Sequence, residues 1–185
     1  MYSLEQAKNY VLNQVLKYDA AADPGDRPQI IDEHTLTRKF GWVFIYNNEA
    51  YLSSGQRHLS WGGPGPILFN KETGEVRRFN ATFDMEIVAE DYEKELEAGD
   101  GCWVLTLEPC DAKQIAIALK SIFGMSGPDA LRHTKRIPGP IFKGVWRTLT
   151  EFAPQIPGAA VELSMTKEPE LPELKPHGRG KWILA

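Results

Sequence analysis

The sequence predicts an α+β protein: an N-terminal antiparallel sheet with flanking helices, followed by a small second domain of β-α-α-β-α-β order. Three observations favour this class. Two short apolar runs are joined by a polar turn that ends in Gly74, which is the pattern of a β-hairpin. Residues 84–98 carry apolar side chains at helical spacing. The glycine-rich break at 99–101 coincides with a change in the sign of the charge, which places a domain boundary there.

The distribution of charge also indicates two units. The chain has 185 residues, of which 42% are hydrophobic, enough for one large or two small cores. Residues 1–100 hold 10 Lys and Arg against 17 Asp and Glu, a net −7, whereas residues 101–185 hold 11 against 8, a net +3. Such an asymmetry predicts units with different partners, or units that face each other. The basic residues form no cluster larger than a pair, so nucleic-acid binding is not expected.

The chain is expected to be cytoplasmic and to bind no membrane. No apolar run approaches the roughly 20 residues of a membrane helix, and the first residues lack the basic start and apolar centre of a signal peptide. Cys102 and Cys110 flank an apolar run that is predicted to be a strand, which would hold them on the order of 26 Å apart at about 3.3 Å per residue. A disulfide between them is excluded if that strand exists, and two reduced thiols are favoured.

The first domain, residues 1–100, is predicted to begin with a helix over about 3–19. The helix is indicated by Ser3-Leu4-Glu5-Gln6, which matches a capping box, and by the apolar residues that follow at helical spacing. Residues 29–39 are ambiguous, because their apolar positions also fit a short strand. A strand at 41–46 has apolar residues on both faces, Trp42, Phe44 and Tyr46 on one and Val43 and Ile45 on the other.

The rest of this domain is predicted as a second short strand near Tyr51, the hairpin, and a helix over 84–98. Together the strands make an antiparallel sheet of about four. Gly74 supplies the positive φ that a short hairpin loop needs, while Pro64 and Pro66 fit only before the strand. The helix has an apolar stripe of Met85, Val88, Tyr92 and Leu96.

The segment around the hairpin carries a family resemblance. The run WGGPGPILFN at 61–70 continues as KETGEVRRF at 71–79, with an aromatic strand before it and an acidic helix after it. This arrangement resembles the bacterial Immunity protein 35 (YrhB-like) family. Members of that family are found beside polymorphic toxins and are thought to neutralise them by binding, so the resemblance implies a protein toxin as the partner.

The second domain, residues 101–165, is predicted to have the order β-α-α-β-α-β. Strands are indicated near 103–107, 140–145 and 158–164, and helices after Asp111, after Ser126 and through Leu149. The order, the run KQIAIALKSI at 113–122 and the closing GAAVEL at 158–163 resemble the C-terminal domain of the ribosomal stalk protein. That resemblance implies the fold. Residues 166–185, with three prolines among charges, are predicted to be an extended tail whose Trp182-Ile183-Leu184 could dock onto a domain or a partner.

No catalytic or metal-binding pattern stands out. The histidines are spread one to a region, at His34, His58, His133 and His177. Two prolines remove N–H donors from the Gly/Pro run at 62–66, and no helix start follows it, so a phosphate cradle is not expected. We therefore expect no enzyme activity, no metal and no cofactor. An enzyme site assembled across the two domains is a weaker alternative.

Two sets of residues are candidates for binding a partner. The first is Glu86, Glu90, Glu93 and Glu97, with Trp61 as an aromatic anchor. The four glutamates also fit an ordinary solvated helix face, and Trp61 also fits a core position, so both interpretations stay open. The second, basic set is Lys113, Lys120 and Lys135.

The sequence therefore predicts a protein that works by binding. The expected function is an immunity protein that binds a cognate toxin and blocks its active site or its access to substrate. The alternative is an adaptor or regulator that uses the stalk-like domain to engage a translation factor or a ribosome-associated partner. The oligomeric state is left open by the sequence.

Overall fold

The computed structural model describes residues 1–17, 27–62, 64–167, 170–176 and 182–184. Contacts divide the chain into two compact units, Met1–Glu93 and Lys94–Ala185. Each unit combines helices with antiparallel strands, so the predicted α+β class is confirmed. The predicted division into independently folding domains at 1–100 and 101–165, with a tail at 166–185, stays a prediction. The end of the helix predicted over 3–19 and His177 lie outside the described residues.

The first unit begins with a helix and ends within one. Its elements are α1 Leu4–Tyr10, β1 Pro28–Ile30, β2 Leu36–Thr37, β3 Gly41–Phe44, β4 Tyr46–Asn48, α2 Glu49–Ser54, β5 Ile67–Asn70, β6 Val76–Arg78 and α3 Met85–Ala98, whose residues 94–98 belong to the second unit. Strands β2, β3, β5 and β6 form an antiparallel sheet in that order, and β1 pairs with β4. The capping box at Ser3 is present, and a π-helical turn at Val11–Val15 continues α1.

The hairpin forms as predicted. Phe69 of β5 pairs with Val76 of β6, and Gly74 in the connecting turn has φ +75°. The Gly74 N–H donates to the Asn70 carbonyl at 2.9 Å. A left-handed conformation at this position strains any residue with a Cβ, so the turn depends on glycine.

The strand predicted near Tyr51 is wrong, because the segment is the helix α2. The Asn48 side chain accepts a hydrogen bond from the Tyr51 N–H at 2.9 Å and so caps the helix start. Gly55 ends the helix with φ +67°. The predicted single strand at 41–46 is in fact two strands, β3 and β4, which pair with different partners.

Both faces of the four-stranded sheet are covered, as the alternation in β3 predicted. One face packs against α1 and its continuation in a cluster of buried residues: Ala7, Val11, Leu16, Trp42, Phe44, Tyr46, Ile67 and Phe69. The other packs against α3 in a second cluster: Phe40, Val43, Leu68, Val88, Ala89 and Tyr92. The sheet therefore lies between two helices and holds the first half of α3 in place.

The second unit shows the predicted β-α-α-β-α-β order. Its elements after α3 are β7 Cys102–Leu107, α4 Ala112–Phe123, α5 Gly127–Thr134, β8 Gly139–Gly144, α6 Trp146–Phe152, β9 Val161–Thr166, β10 Leu174–Pro176 and β11 Trp182–Leu184. Strands β8, β7 and β9 form an antiparallel sheet in that order. The predicted caps are present: the side chain of Asp111 accepts from the Lys113 N–H and that of Ser126 from the Asp129 N–H.

Part of the predicted tail packs on the second unit. Strand β10 pairs antiparallel with β11. The Lys143 N–H of β8 donates to the Pro172 carbonyl at 3.1 Å. Glu173 and Lys143 form an isolated parallel β-bridge between their backbones. Leu174 is 1% exposed and belongs to the core of this unit, and Leu184 packs against that core. Of the segment 182–184 that was suggested to dock, the side chain of Leu184 packs on this unit, and the side chains of residues 182 and 183 lie outside the described residues.

Candidate protein-binding surfaces

The potential metal ligands and the thiols are dispersed among the described residues. Among them, no group of three or more His, Cys, Asp or Glu is placed to hold a metal ion. Cys102 and Cys110 are free thiols, and burial raises the pKa of Cys110 above its ordinary value. The His133 ring lies 5.7 Å from the Phe142 ring. Burial lowers the pKa of His133, and the positive charges of Arg136 and Arg132 lower it further.

Within the part of the chain that the structure describes, no helix is both long enough and apolar enough to cross a bilayer.

The four predicted glutamates, Glu86, Glu90, Glu93 and Glu97, form what we call the acidic stripe of α3. The helix buries Val88, Ala89 and Tyr92, so residues at the spacing of the stripe lie on its other side. Glu86, Glu90 and Glu97 are exposed and Glu93 is partly exposed.

Two carboxylates of the acidic stripe have cationic neighbours. Glu86 accepts a hydrogen bond from the guanidinium of Arg38. Glu97 accepts one from the Lys94 ammonium at 2.8 Å. Exposed pairs of this kind are screened and contribute little to stability, but they reduce the negative potential at the two ends of the stripe. No local pattern predicts the Arg38 contact, because it joins residues 48 positions apart.

A polar network that runs from the buried Asn70 to the partly exposed Glu75 joins α3 to the hairpin. Asn70 Nδ2 donates to the Tyr92 hydroxyl at 2.8 Å, and that hydroxyl donates to Glu75 Oε2 at 2.7 Å. Arg77 Nε donates to Glu75 Oε1 at 2.7 Å, and the Arg77 guanidinium lies 4.8 Å from the centre of the Tyr92 ring. The hydrogen bonds from Tyr92 and then Arg77 lower the pKa of Glu75, while burial raises the pKa of Tyr92. The network makes the first half of α3 a rigid support.

Two exposed apolar side chains, one just before α3 and one in its first turn, were not predicted from the sequence. Phe83 is 46% exposed and Ile87 is 37% exposed. They are four residues apart and lie outside the Met85, Val88 and Tyr92 positions that face the core. Leu96, which the sequence placed on the apolar stripe, is also exposed. Exposure of Phe83 and Ile87 could have been predicted, because neither residue belongs to the apolar stripe of Met85, Val88 and Tyr92.

Trp61 is placed by the core of the first unit. It is half-buried, and its ring meets Tyr46 edge-on at 6.3 Å. Its backbone N–H donates to Asn47 Oδ1 at 3.0 Å. Asn47 Nδ2 also donates to the Ser60 hydroxyl at 2.9 Å, and Asn48 Nδ2 donates to the Leu59 carbonyl at 2.6 Å. The two asparagines therefore hold the segment before Trp61, and the indole serves mainly as a packing group.

The predicted basic residues lie on the helical side of the second unit. Lys113 and Lys120 are exposed on α4, and Lys135 is exposed at the C-terminal cap of α5. Ile117 lies between the two α4 lysines in helical spacing and is 70% exposed. We call Lys113, Ile117 and Lys120 the α4 stripe. It combines positive charge with one apolar side chain, a composition that suits contact with an acidic protein surface.

Comparison with known proteins gives one distant relationship. A 71-residue stretch is 27% identical to "Uncharacterized protein YrhB" of Escherichia coli (strain K12), covering 38% of this chain and 74% of that protein. No protein-family profile matches the chain, and no solved structure matches it. The similarity supports a distant YrhB-like relationship over part of the chain. The resemblance of the second unit to the ribosomal stalk protein stays a prediction.

Proposed function

We propose that this protein is a cytoplasmic, non-catalytic immunity protein that binds and neutralises a cognate toxin through the acidic stripe. The observation that carries the proposal is a line of carboxylates on the solvent side of a helix whose opposite side is fixed by a packed core and the Tyr92 network. A rigid helix face loses little conformational freedom on binding, and its charge attracts a basic partner. A toxin is chosen as the partner because the hairpin segment resembles the Immunity protein 35 (YrhB-like) family.

The toxin is expected to carry a basic surface. Its association should slow as salt rises, because exposed charges are screened over about 8 to 10 Å at physiological ionic strength. The test replaces Glu86, Glu90, Glu93 and Glu97 together by Lys and measures protection of cells that produce the protein encoded beside this gene. Protection should be lost, and the association rate of the purified proteins should fall at least about tenfold.

The matched control changes the same amount of charge elsewhere. Glu33, Glu72, Glu108 and Glu151 are exposed and lie outside the stripe, so replacing them together by Lys should leave much of the protection intact. Circular dichroism melts of both variants should stay near that of the wild type. Protection that survives reversal of the stripe, with the fold intact, would remove α3 from the interface and make the segment Trp61–Pro66 the next candidate.

A second candidate function is favoured by the α4 stripe. In this alternative the second unit is an adaptor for a translation factor or a ribosome-associated partner, and Lys113, Lys120 and Lys135 contact an acidic surface on it. Cosedimentation of the full chain with ribosomes should then occur at low salt and be lost in the Lys113→Glu/Lys120→Glu variant. Protection from the toxin with no cosedimentation would favour the immunity function.

A further inference from the structure

Strand β9 lies at an edge of the second unit's sheet. It pairs with β7 through six residue pairs, from Cys102↔Thr166 to Leu107↔Val161. The opposite edge of the same sheet is covered by the chain itself, since Lys143 of β8 contacts Pro172 and Glu173. Among the described residues, the sheet order gives β9 no second neighbour. One row of its backbone N–H and C=O groups is therefore directed away from the sheet.

The strand carries few of the features that keep an edge from pairing. Its sequence, VELSMT, contains no proline and no lysine, and its one charge is Glu162. Val161 and Leu163 pack against the core of the unit, which places Met165 on the same face because side chains alternate along a strand. Met165 is nevertheless 52% exposed. The strand thus combines an open edge with an uncovered apolar side chain at one end.

We propose that β9 pairs antiparallel with β9 of a second copy of this chain, about a two-fold axis that is perpendicular to the sheet and passes midway between the two copies of Ser164. This register sets Met165 opposite Leu163 of the other copy and Glu162 opposite Thr166. Apolar residues then meet apolar residues on the helix-covered face. No like charges are opposed.

The self-complementary pattern is the reason for choosing a second copy over another protein's strand. A two-fold axis perpendicular to the sheet keeps the helix-covered face of both copies on the same side, so the two faces join into one. Pairing five residues, 162–166, along about 16 Å of strand gives a continuous six-stranded sheet and covers both copies of Met165. The dimer is independent of toxin binding, because β9 is not part of the acidic stripe.

The test is the oligomeric state of the full chain by sedimentation velocity between about 1 and 200 µM. The wild type should show a concentration-dependent dimer, and Met165→Lys should weaken it at least tenfold. Leu131→Lys is the matched control, since it makes the same kind of change at an apolar residue that is 50% exposed and lies far from β9 in the sequence, and it should dimerise like the wild type. Amide hydrogen exchange across 161–166 should slow as the wild-type concentration rises.

A crosslink tests the register. Ser164→Cys should form a disulfide-linked dimer under mild oxidant, because this residue meets its own copy at the two-fold axis. Glu162→Cys, two positions away, and the wild type with its native thiols should not. A wild type that is monomeric over the whole range overturns the proposal. So does a dimer that resists Met165→Lys with exchange at 161–166 unchanged, or one in which Ser164→Cys does not crosslink.

Discussion

Replacing Tyr92 by Phe is the most informative perturbation of the first unit, because it removes one oxygen and keeps the ring. That hydroxyl accepts from Asn70 at 2.8 Å and donates to Glu75 at 2.7 Å. The ring contacts, edge-on to Phe40 at 4.8 Å and beneath Arg77 at 4.8 Å, are preserved in the variant. The free energy of unfolding should therefore report the two hydrogen bonds and little else.

The expected loss of unfolding free energy depends on how far Asn70 and Glu75, the two partners of the Tyr92 hydroxyl, are exposed to solvent. Asn70 is 4% exposed, so its amide group loses a buried partner, which costs about 1–3 kcal/mol. A hydrogen bond to a charged group contributes about 1.5–3 kcal/mol. The Glu75 side chain, however, is 41% exposed, and water replaces much of its share. We expect Tyr92→Phe to lower the free energy of unfolding by about 2–3 kcal/mol at pH 7.

The cost should depend on pH. The pKa of Glu75 is lowered in the folded protein, by Tyr92 first and Arg77 second, from an ordinary value of 4.5. A lowered carboxyl pKa gives stability that is present above the unfolded pKa and is lost as the pH falls through the lowered, folded pKa. The cost of Tyr92→Phe should thus be largest above about pH 5 and shrink towards pH 3.

Urea titrations of the full chain at pH 7 and pH 3 provide the measurement, and Tyr10→Phe is the control. Tyr10 is exposed and packs edge-on against Phe69 at 5.7 Å, so loss of its hydroxyl should change stability by no more than about 0.5 kcal/mol. The reasoning is refuted if Tyr92→Phe costs no more than Tyr10→Phe at pH 7, or if its cost stays the same at both pH values.

Three further changes test the fold. Gly74→Val should lower the free energy of unfolding in urea by about 2 kcal/mol or more, because Gly74 has φ +75° and an added Cβ would lie 3.0 Å from the Tyr2 ring. Thr73→Val should cost less, and equal costs for the two variants would contradict the assigned turn. Leu174→Ala should lower the free energy of unfolding by about 2–4 kcal/mol, because Leu174 belongs to the core of the second unit. A free energy of unfolding like that of the wild type would show that the tail is not part of this core. Asn47→Ala should speed hydrogen exchange at the Trp61 amide and lower the free energy of unfolding by about 2–3 kcal/mol. Unchanged exchange would mean that other contacts hold the segment that ends at Trp61.

Much of the secondary structure could be predicted because its signals are local. The capping box at Ser3, the caps at Asp111 and Ser126 and the glycine of the hairpin turn all act within a few residues, so the sequence shows them directly. The alternation in β3 predicted a sheet covered on both faces, and the helical spacing of the glutamates predicted a carboxylate line on the solvent side of α3. Each of these depends on periodicity alone.

Contacts between distant residues decided the rest. Asn48, the last residue of β4, is buried, and its side chain both contacts Leu59, 11 positions away, and caps the helix at Tyr51, where the sequence suggested a strand. Arg38 reaches Glu86 across 48 residues and so changes the charge that the acidic stripe presents. Leu174 enters a core whose other members precede it by 18 residues or more. The sequence determined the local elements and the overall charge by itself; the tertiary structure decided which side chains are covered, because burial is set by residues that meet only after the chain has folded.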